Sequence, residues 1–243
     1  MTVLAHLSDL HLDGSATRAS RASRVVSYLC GLPGAVDAVI ITGDVTENGT
    51  AEEYAQVRKV LKPLHGRLPV LMCPGNHDVA PVFAAHLAPR RSAAIHGGVQ
   101  IVLADSSVPG EDDGLLSPSS LEWLDTRLAA APEVPALVAL HHPPGVLGIP
   151  VIDAIGLRNP SALATVLSRH PQVVAVVAGH AHAAVFTTFA GVPLLVAPGV
   201  VSTAALPWER ADPWSYQDDS VSVLFHTYIA GTFTTHVRTM VIR

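Results

Sequence analysis

The amino-acid sequence predicts an α/β domain of βα units followed by antiparallel strands. Six short apolar runs, rich in β-branched residues, are typical of strands that are buried on both faces of a sheet. Apolar residues with helical spacing lie between several of these runs. After residue 182 the alternation ends, and two hairpin candidates follow. With 243 residues, the chain is long enough for one such domain with a sizeable core.

The strands and helices are predicted from local patterns. The apolar runs cover residues 3–7, 38–42, 69–73, 99–104, 134–140 and 173–178. Three segments place apolar side chains on one helical face, and these are Ala22, Val25, Val26 and Leu29; Val57, Val60, Leu61 and Leu64; and Leu163, Val166, Leu167 and His170.

Helix starts and hairpin turns have their own signals. Thr50 and Glu53 have the spacing of a capping box. Ser117 and Asn159 each precede a proline, which suits the first position of a helix. The two expected hairpin turns are Ala190-Gly191 and Ala230-Gly231.

Composition and charge exclude several classes of protein. No uncharged apolar run reaches the ~18–20 residues that cross a bilayer, and the start, MTVLAHLSDLHL, does not have the pattern of a secretory signal. Cys30 and Cys73 are too few for a disulfide framework and suit a reducing compartment. The net charge of -5 argues against a broad nucleic-acid-binding surface. We therefore expect a cytoplasmic protein with no transmembrane segment and no nucleic-acid partner.

Side chains that can bind metals follow five of the six apolar runs. The five segments are Ser8-Asp9-Leu10-His11, Gly43-Asp44, Pro74-Gly75-Asn76-His77-Asp78, His141-His142-Pro143-Pro144 and Gly179-His180-Ala181-His182. Ligands of open α/β sheets bind beyond the carboxyl ends of the strands, so the five segments can meet at one edge. Asp, Asn and His without cysteine form a donor set that suits Mn, Fe or Zn. A shared Asp could bridge two ions about 3.5–4 Å apart, as in two-metal hydrolases.

Each segment taken singly has a simpler interpretation. A lone Asp-x-His is more often a turn beside a surface histidine, and Gly43-Asp44 and Gly75-Asn76 are ordinary turn dipeptides. His141-His142 could be a structural pair. Because the same chemistry recurs after five buried runs, coincidence is the poorer explanation, and a metal site is the better one.

The order of the five segments resembles that of calcineurin-like metallophosphoesterases. DxH, GD, GNHD, a histidine before proline, and GHxH follow one another from Asp9 to His182, about three quarters of the chain. The flanking text is most similar to bacterial class III 3′,5′-cyclic-nucleotide phosphodiesterases. That text comprises HHPP at His141, LADSSVPG at Leu103 and FAGVPLLVAPGVVSTA at Phe189.

This resemblance implies a four-layer αββα sandwich, in which two mixed β-sheets are flanked by helices. A single domain is expected over residues 1–243, with C-terminal antiparallel hairpins at about 183–243 completing the second sheet. The resemblance also suggests a homodimer.

By position, the resemblance implies a site with two divalent or trivalent metal ions. Asp9, His11 and His182 would hold the first ion, Asn76, His141 and His180 the second, and Asp44 would bridge them. His77 would contact the substrate phosphate without binding metal, and Asn76 and His180 would also contact the substrate. Fe and Mn are the expected ions, and Zn is a further candidate.

The implied activity is hydrolysis of 3′,5′-cyclic nucleotides (cAMP or cGMP) to nucleoside monophosphates. A hydroxide that bridges the ions would attack phosphorus, since a bound water has its pKa lowered to about 7. His77 is the natural proton donor for the leaving alkoxide. One alternative substrate is another small phosphodiester, such as a glycerophosphodiester or a 2′,3′-cyclic nucleotide. A non-catalytic scaffold is a remote alternative, and the complete ligand set argues against it.

Histidines and an acid near the ligands have two open interpretations. Asp78 either orients His77 or the turn, or is a solvated acid in that turn. His6 is expected to be a core histidine bonded to a neighbour, or a partner of a ligand, rather than a ligand itself. His142 is either a structural residue or a partner of the ligands, and the structural interpretation is favoured.

A row of arginines and two tryptophans are also ambiguous. Arg18, Arg21 and Arg24 fall three apart on one predicted helix face, which is more often solvated than phosphate-binding. Trp208 and Trp214 could stack on a base or cover the site, or they could cap the core or form a dimer interface.

Overall fold

Two large β-sheets and six α-helices form the described part of the chain in the computed structural model, which covers residues 1–209, 212 and 215–241. The strands are β1 (Thr2–Leu7), β2 (Ala38–Thr42), β3 (Val70–Cys73), β4 (Ser92–His96), β5 (Val99–Leu103), β6 (Ala136–Ala139), β7 (Val173–Ala178), β8 (Val185–Phe189), β9 (Val192–Val196), β10 (Thr203–Ala204), β11 (Tyr216–Gln217), β12 (Ser220–Ile229) and β13 (Thr232–Val241). The helices are α1 (Ala16–Cys30), α2 (Ala51–Leu61), α3 (Ala80–His86), α4 (Pro118–Ala129), α5 (Pro150–Asp153) and α6 (Pro160–Leu167), and a 3₁₀ turn (Lys62–Leu64) follows α2.

The first sheet has the strand order β13-β12-β1-β2-β3. Its strands β1, β2 and β3 are parallel, with Leu7 opposite Ile41 and Ile41 opposite Met72. β12 pairs antiparallel with β1, and β13 pairs antiparallel with β12. The three parallel strands therefore have their carboxyl ends at the same edge.

The second sheet has the strand order β4-β5-β6-β7-β9-β8. Its four central strands are parallel, and β4 and β8 pair antiparallel at the two edges. Both sheets are therefore mixed, as the sequence predicts. The short strands β10 and β11 form a separate antiparallel pair.

Three apolar clusters show how the layers stack. In the middle cluster, Leu4 and Ile40 of the first sheet pack with Ile101, Leu137 and Val177 of the second. Helices α1, α2 and α3 cover the other face of the first sheet, and α4, α5 and α6 cover the other face of the second. Every residue of β2 and β5 is buried, because both faces of each sheet are covered. The fold is the four-layer αββα sandwich that the sequence predicts.

The helix caps agree with the sequence at two of three positions. The Thr50 hydroxyl accepts from the Glu53 N–H, and the Glu53 carboxylate accepts from the Thr50 N–H, which completes the capping box of α2. Ser117 caps α4 through its hydroxyl. Asn159 makes no cap bond, because its side chain bonds both the N–H and the carbonyl of Leu116.

No helix in the described part of the chain combines the length and the apolar character needed to cross a bilayer.

Both hairpin turns lie at the expected residues. Ala190 and Gly191 have φ angles of 50° and 84°, and Ala230 and Gly231 have φ angles of 46° and 86°. Two consecutive positive φ angles match the right-handed twist of paired strands. The first hairpin, β8-β9, extends the second sheet as expected.

The second hairpin, β12-β13, corrects the expectation for the C-terminal segment. It lies in the first sheet rather than the second, with Thr2 opposite Tyr228 and His6 opposite Leu224. The buried Arg21 side chain on α1 contacts the start of β12, where it donates to the backbone carbonyls of Asp218 and Ser220. It also donates to the carbonyl of Val200. The free edge of β1 is therefore covered by β12.

Candidate metal centre

The predicted ligands and His77 follow five strands whose carboxyl ends meet between the two sheets. Asp9 and His11 follow β1, Asp44 follows β2, Asn76 and His77 follow β3, His141 follows β6, and His180 and His182 follow β7. Backbone groups tie these ends together. The His180 N–H donates to the Asp9 carboxylate at 3.0 Å, the Asp9 N–H donates to the Gly43 carbonyl at 3.1 Å, and the Gly179 N–H donates to the His141 carbonyl at 3.0 Å.

Asp9, His11 and His182 form the first donor group. The Nε2 atoms of His11 and His182 lie 3.1 Å apart. Asp9 Oδ1 lies 3.9 Å from the His11 nitrogen and 3.6 Å from the His182 nitrogen. All three side chains are wholly or largely buried.

Asn76, His141 and His180 form the second donor group. Asn76 Oδ1 lies 3.0 Å from His141 Nε2 and 3.0 Å from His180 Nδ1. The two histidine nitrogens lie 3.1 Å apart. Donors that are about 2.1 Å from one ion and at right angles to each other lie about 3.0 Å apart, so this spacing fits a single coordinated cation.

Asp44 lies between the two donor groups. Its Oδ2 atom is 3.5 Å from His11 Nε2 and 3.3 Å from His141 Nε2. Its Oδ1 atom accepts from the His77 N–H at 2.9 Å. One carboxylate oxygen is therefore within reach of both groups, as a bridging ligand requires.

Hydrogen bonds on the far side of two rings show that the donor groups fit metal ions. His11 Nδ1 lies 2.9 Å from Glu47 Oε2, and His141 Nδ1 lies 2.6 Å from the Thr42 carbonyl oxygen. Both partners are acceptors, so each Nδ1 carries the hydrogen, and the Nε2 of the neutral ring presents a lone pair to the donor group. When these rings are neutral, lone pairs of nitrogen and oxygen converge, and a divalent cation would stabilise them there in place of a proton.

Burial and mutual contact set the charge states of Asp44, His141 and His180. Burial opposes ionisation of Asp44, but His141 and His11 hold the pKa of its carboxyl well below the ordinary range. Burial alone would lower the pKa of His141, yet the Asp44 carboxylate outweighs it and raises that pKa to about 9. Burial and the neighbouring His141 lower the pKa of His180 to about 3, so His180 stays neutral and able to coordinate.

Five of the seven predicted ligands have a left-handed backbone. Among the described residues, seven other than glycine have positive φ, and two of them are the hairpin alanines. The other five are Asp9 (55°), His11 (45°), Asp44 (49°), His180 (71°) and His182 (51°). Asp and His occur in this region several times more often than most residues, so the predicted ligands are residue types that also tolerate the turn.

Two glycines let the strand ends approach each other. A Cβ on Gly43, which has a φ of 89°, would lie 2.5 Å from His141 Nδ1. A Cβ on Gly179 would collide with Ser8 Oγ and lie 2.9 Å from Asp9 Oδ2. At both positions a side chain would clash with a predicted ligand from another strand end, His141 or Asp9. The strand ends can therefore come this close only with glycine at these positions.

Asp78 is a buried anchor of two ligand-bearing turns and not a solvated acid. Its carboxylate accepts from the backbone N–H groups of Val45, Thr46 and Gly75 at 3.0–3.2 Å. The hydroxyls of Thr46 and Tyr54 also donate to it. It therefore joins the turn that carries Asp44 to the turn that carries Asn76 and His77.

His77 lines a cavity of about 1120 Å³ that opens beside the donor groups. Its Nδ1 lies 2.9 Å from the Glu47 carbonyl, which leaves Nε2 for a ligand.

Glu47, which the sequence does not single out, also holds His11 and pairs with Arg18. The hydrogen bond to His11 lowers the pKa of Glu47 to about 2, so it stays charged. Glu47 lies three residues after the predicted ligand Asp44, and this short spacing is the sequence signal that could have indicated its role.

The three predicted arginines of α1 have different environments. Arg18 is paired with Asp13 and Glu47, and Arg21 is buried against backbone carbonyls. Arg24 is exposed, lines the cavity, and makes no ion pair or hydrogen bond within the described residues. Of these three, Arg24 is therefore the one without a partner in the described part of the chain, and its side chain lies at the cavity wall.

Other ambiguous residues are resolved by their contacts. Both ring nitrogens of His142 are occupied, Nδ1 by Ser106 Oγ at 2.8 Å and Nε2 by the Asp112 carbonyl at 3.2 Å, so His142 is structural. Trp208 is 77% exposed and does not line the cavity. Trp214 lies outside the described residues.

Comparison with known proteins agrees with this geometry. The chain matches the family model described as Calcineurin-like phosphoesterase over residues 2–184. It belongs to that family. The family predicted from the five segments is therefore confirmed.

Individual relatives cover most of the chain. It is 32% identical to a protein of Enterobacter lignolyticus named Glycerophosphodiester phosphodiesterase GpdQ, over 93% of this chain and 87% of the relative. It is 34% identical to a Nostoc protein named 3′,5′-cyclic-nucleotide phosphodiesterase alr5338, over 74% of this chain and 71% of the relative. A solved dimetal phosphatase from Danio rerio shares the fold with a TM-score of 0.74 and 16% identity, over 99% of this chain and 98% of that one.

Proposed function

We propose that this protein is a dinuclear metal-dependent phosphodiesterase that hydrolyses 3′,5′-cyclic nucleotides to nucleoside monophosphates. The observation that carries the proposal is the position of Asp44 Oδ2, 3.5 Å from His11 and 3.3 Å from His141. Two donor groups that share one carboxylate are the arrangement of a two-metal hydrolase. The adjoining cavity of about 1120 Å³ is large enough for a nucleotide.

The proposed ligands are those of the two donor groups. Asp9, His11 and His182 hold one ion, Asn76, His141 and His180 hold the other, and Asp44 is shared. When bound, the two ions would supply positive charge for the phosphoryl oxygens and an acidified water. Fe or Mn is the proposed pair, with Zn as a further candidate, since the donors are nitrogen and oxygen without thiolate.

His77 is the proposed proton donor for the leaving oxygen. The Glu47 carbonyl fixes its Nδ1–H at 2.9 Å and so sets the plane of the ring. A charged imidazole then holds a second proton at Nε2 and can release it to the alkoxide of the product. Asn76 and His180 line the same cavity and are proposed to contact the phosphate.

Cyclic nucleotides are favoured by the segments that flank the ligands. Val201 and Ser202, from the segment APGVVSTA, contribute to the wall of the cavity. The Nostoc relative, which is named for 3′,5′-cyclic nucleotides, supports this choice. A glycerophosphodiester is the second candidate, because the relative named for that substrate matches 93% of the chain.

A substrate panel tests the proposal. Manganese-loaded protein is assayed for kcat/KM on cAMP, cGMP, 2′,3′-cyclic AMP and glycerophosphocholine. We expect the highest value for a 3′,5′-cyclic nucleotide, and loss of activity in Asp44→Asn but not in the control Asp125→Asn on α4, away from the donor groups. A preference for glycerophosphocholine would replace the proposed substrate, and inactivity on all four would overturn the assignment. The homodimer and the cytoplasmic location stay predictions from the sequence.

A further inference from the structure

A chain of buried hydrogen bonds crosses the first sheet and ends at a proposed metal ligand. His226 Nδ1 lies 2.8 Å from Thr235 Oγ1, and His226 Nε2 lies 3.1 Å from His6 Nδ1. His6 Nε2 lies 2.9 Å from Thr42 Oγ1, which lies 2.9 Å from Ser8 Oγ. We call these five residues the buried chain. Four of them, His226, His6, Thr42 and Ser8, are fully buried.

The last link of the buried chain meets a ligand. The Thr42 carbonyl accepts from the Ser8 hydroxyl at 3.0 Å and from His141 Nδ1 at 2.6 Å. Thr42 is also the last residue of β2, immediately before Gly43 and Asp44. The orientation of this one peptide group therefore bears on two of the proposed ligands.

The direction of every bond in the buried chain follows from one fact. The Thr42 carbonyl can only accept, so the Ser8 hydroxyl gives its single proton to it. Ser8 must then accept from the Thr42 hydroxyl, and Thr42 must accept from His6 Nε2–H. A neutral His6 has its lone pair at Nδ1 and accepts from His226 Nε2–H, which leaves His226 Nδ1 to accept from Thr235.

Each histidine of the buried chain is thereby held in a single tautomer. Burial, and for His6 the neighbouring His226, lowers the pKa of both rings, so both are neutral as this pattern requires. Reversing one bond would bring two donors or two acceptors together at the next bond. The buried chain therefore fixes the Thr42 peptide group more firmly than any single hydrogen bond within it could.

We propose that the buried chain positions His141. It holds the Thr42 carbonyl in place, and this carbonyl sets the ring plane and the tautomer of His141, whose Nε2 lone pair faces the second donor group. Thr42, His6 and His226 are then positioning residues for one ion of the pair. This inference rests on the proposed metal centre, and the first donor group provides an internal comparison, since His11 is held by Glu47 instead.

Manganese binding tests the inference without use of turnover. Chelator-stripped protein is titrated with Mn²⁺ in a calorimeter, for the natural chain, Thr42→Val and Thr42→Ser. Thr42→Val keeps the shape and the carbonyl but removes the hydroxyl, and Thr42→Ser restores the hydroxyl. We expect Thr42→Val to weaken one of two sites by up to about tenfold, the lower end of the cost of losing a ligand's hydrogen-bonding partner, because the carbonyl stays but is no longer held by the buried chain. The other site, and both sites of Thr42→Ser, should bind as in the natural chain.

The outcomes separate the two proposals. If the natural chain binds fewer than two ions, the metal centre fails and the inference fails with it. If Thr42→Val binds both ions as the natural chain does, or weakens both equally, the metal centre stands and the positioning role is overturned. Thr235→Val cuts the buried chain at its partly exposed end and provides a second test if Thr42→Val does not fold. It should weaken the same site to a smaller extent, and the neighbouring exposed Thr234→Val should weaken neither.

Discussion

Acid should destabilise this protein through His226, and the size of the effect follows from its burial. Burial lowers the pKa of His226 to about 3, whereas an unfolded chain has an ordinary histidine pKa of about 6.5. Below pH 6.5 the unfolded state binds a proton that the folded state does not. The free energy of unfolding therefore falls as the pH falls from about 6.5 to about 3.

The expected loss at pH 5 is about 2 kcal/mol from this residue. The interval from pH 6.5 to pH 5 is about 1.5 units, and each unit corresponds to 1.36 kcal/mol. The pKa of His6 is also lowered, by burial and by His226, and its effect has the same sign. For a slope near 2 kcal/mol per molar urea, 2 kcal/mol shifts the unfolding midpoint by about 1 M.

Urea unfolding at pH 7 and pH 5, followed by circular dichroism with chelator present, measures this loss. His226→Phe removes the titrating group and keeps an aromatic ring against Phe233, whose ring centroid lies 5.5 Å from that of His226. We expect the loss between pH 7 and pH 5 to be about 2 kcal/mol smaller in His226→Phe. The exposed control His236→Phe should lose as much as the natural chain. Equal losses in all three proteins would show that His226 is not held neutral, and the bond directions of the buried chain would then be wrong.

Two further predictions concern the metal centre. His77→Ala should keep its metal content, measured by elemental analysis, but lose about 10²–10⁴-fold in kcat on a cyclic nucleotide, because no group then protonates the leaving oxygen. Full turnover in this variant would remove the role of His77. Gly179→Ala places a methyl group against Ser8 and Asp9 and should reduce the free energy of unfolding by about 1–3 kcal/mol and weaken metal binding, as measured by urea unfolding and Mn²⁺ titration. Gly34→Ala, where no atom lies within 4 Å of the new Cβ, is the matched control, and a similar effect in both would contradict the packing argument.

The candidate site could be predicted from the sequence because each of its parts is local. A continuous apolar run such as 173–178 indicates a strand covered on both faces, and the polar residues that follow it must then lie at a sheet edge. The recurrence of this arrangement brings Asp9, Asp44 and His141 to one place although they are far apart in the chain. The hairpin turn at Ala230-Gly231 is local in the same sense.

The features that could not be predicted depend on partners that are distant in the chain. His226 has no partner nearby in the sequence, yet its ring bonds His6, which is 220 residues away. The place of the second hairpin depends on the pairing of β12 with β1, which lies at the other end of the chain. Asn159 has the sequence of a helix cap, but its side chain bonds Leu116 on a neighbouring loop.

The left-handed turns at five of the proposed ligands bear on whether folding or ion binding positions the donors. A residue other than glycine in this conformation costs on the order of 1–3 kcal/mol, which the surrounding structure must supply. Here the surrounding structure is the pair of packed sheets, whose strands end immediately before the strained residues. The folded framework therefore holds the five proposed ligands in these turns, and an ion that bound there would meet donors already in place.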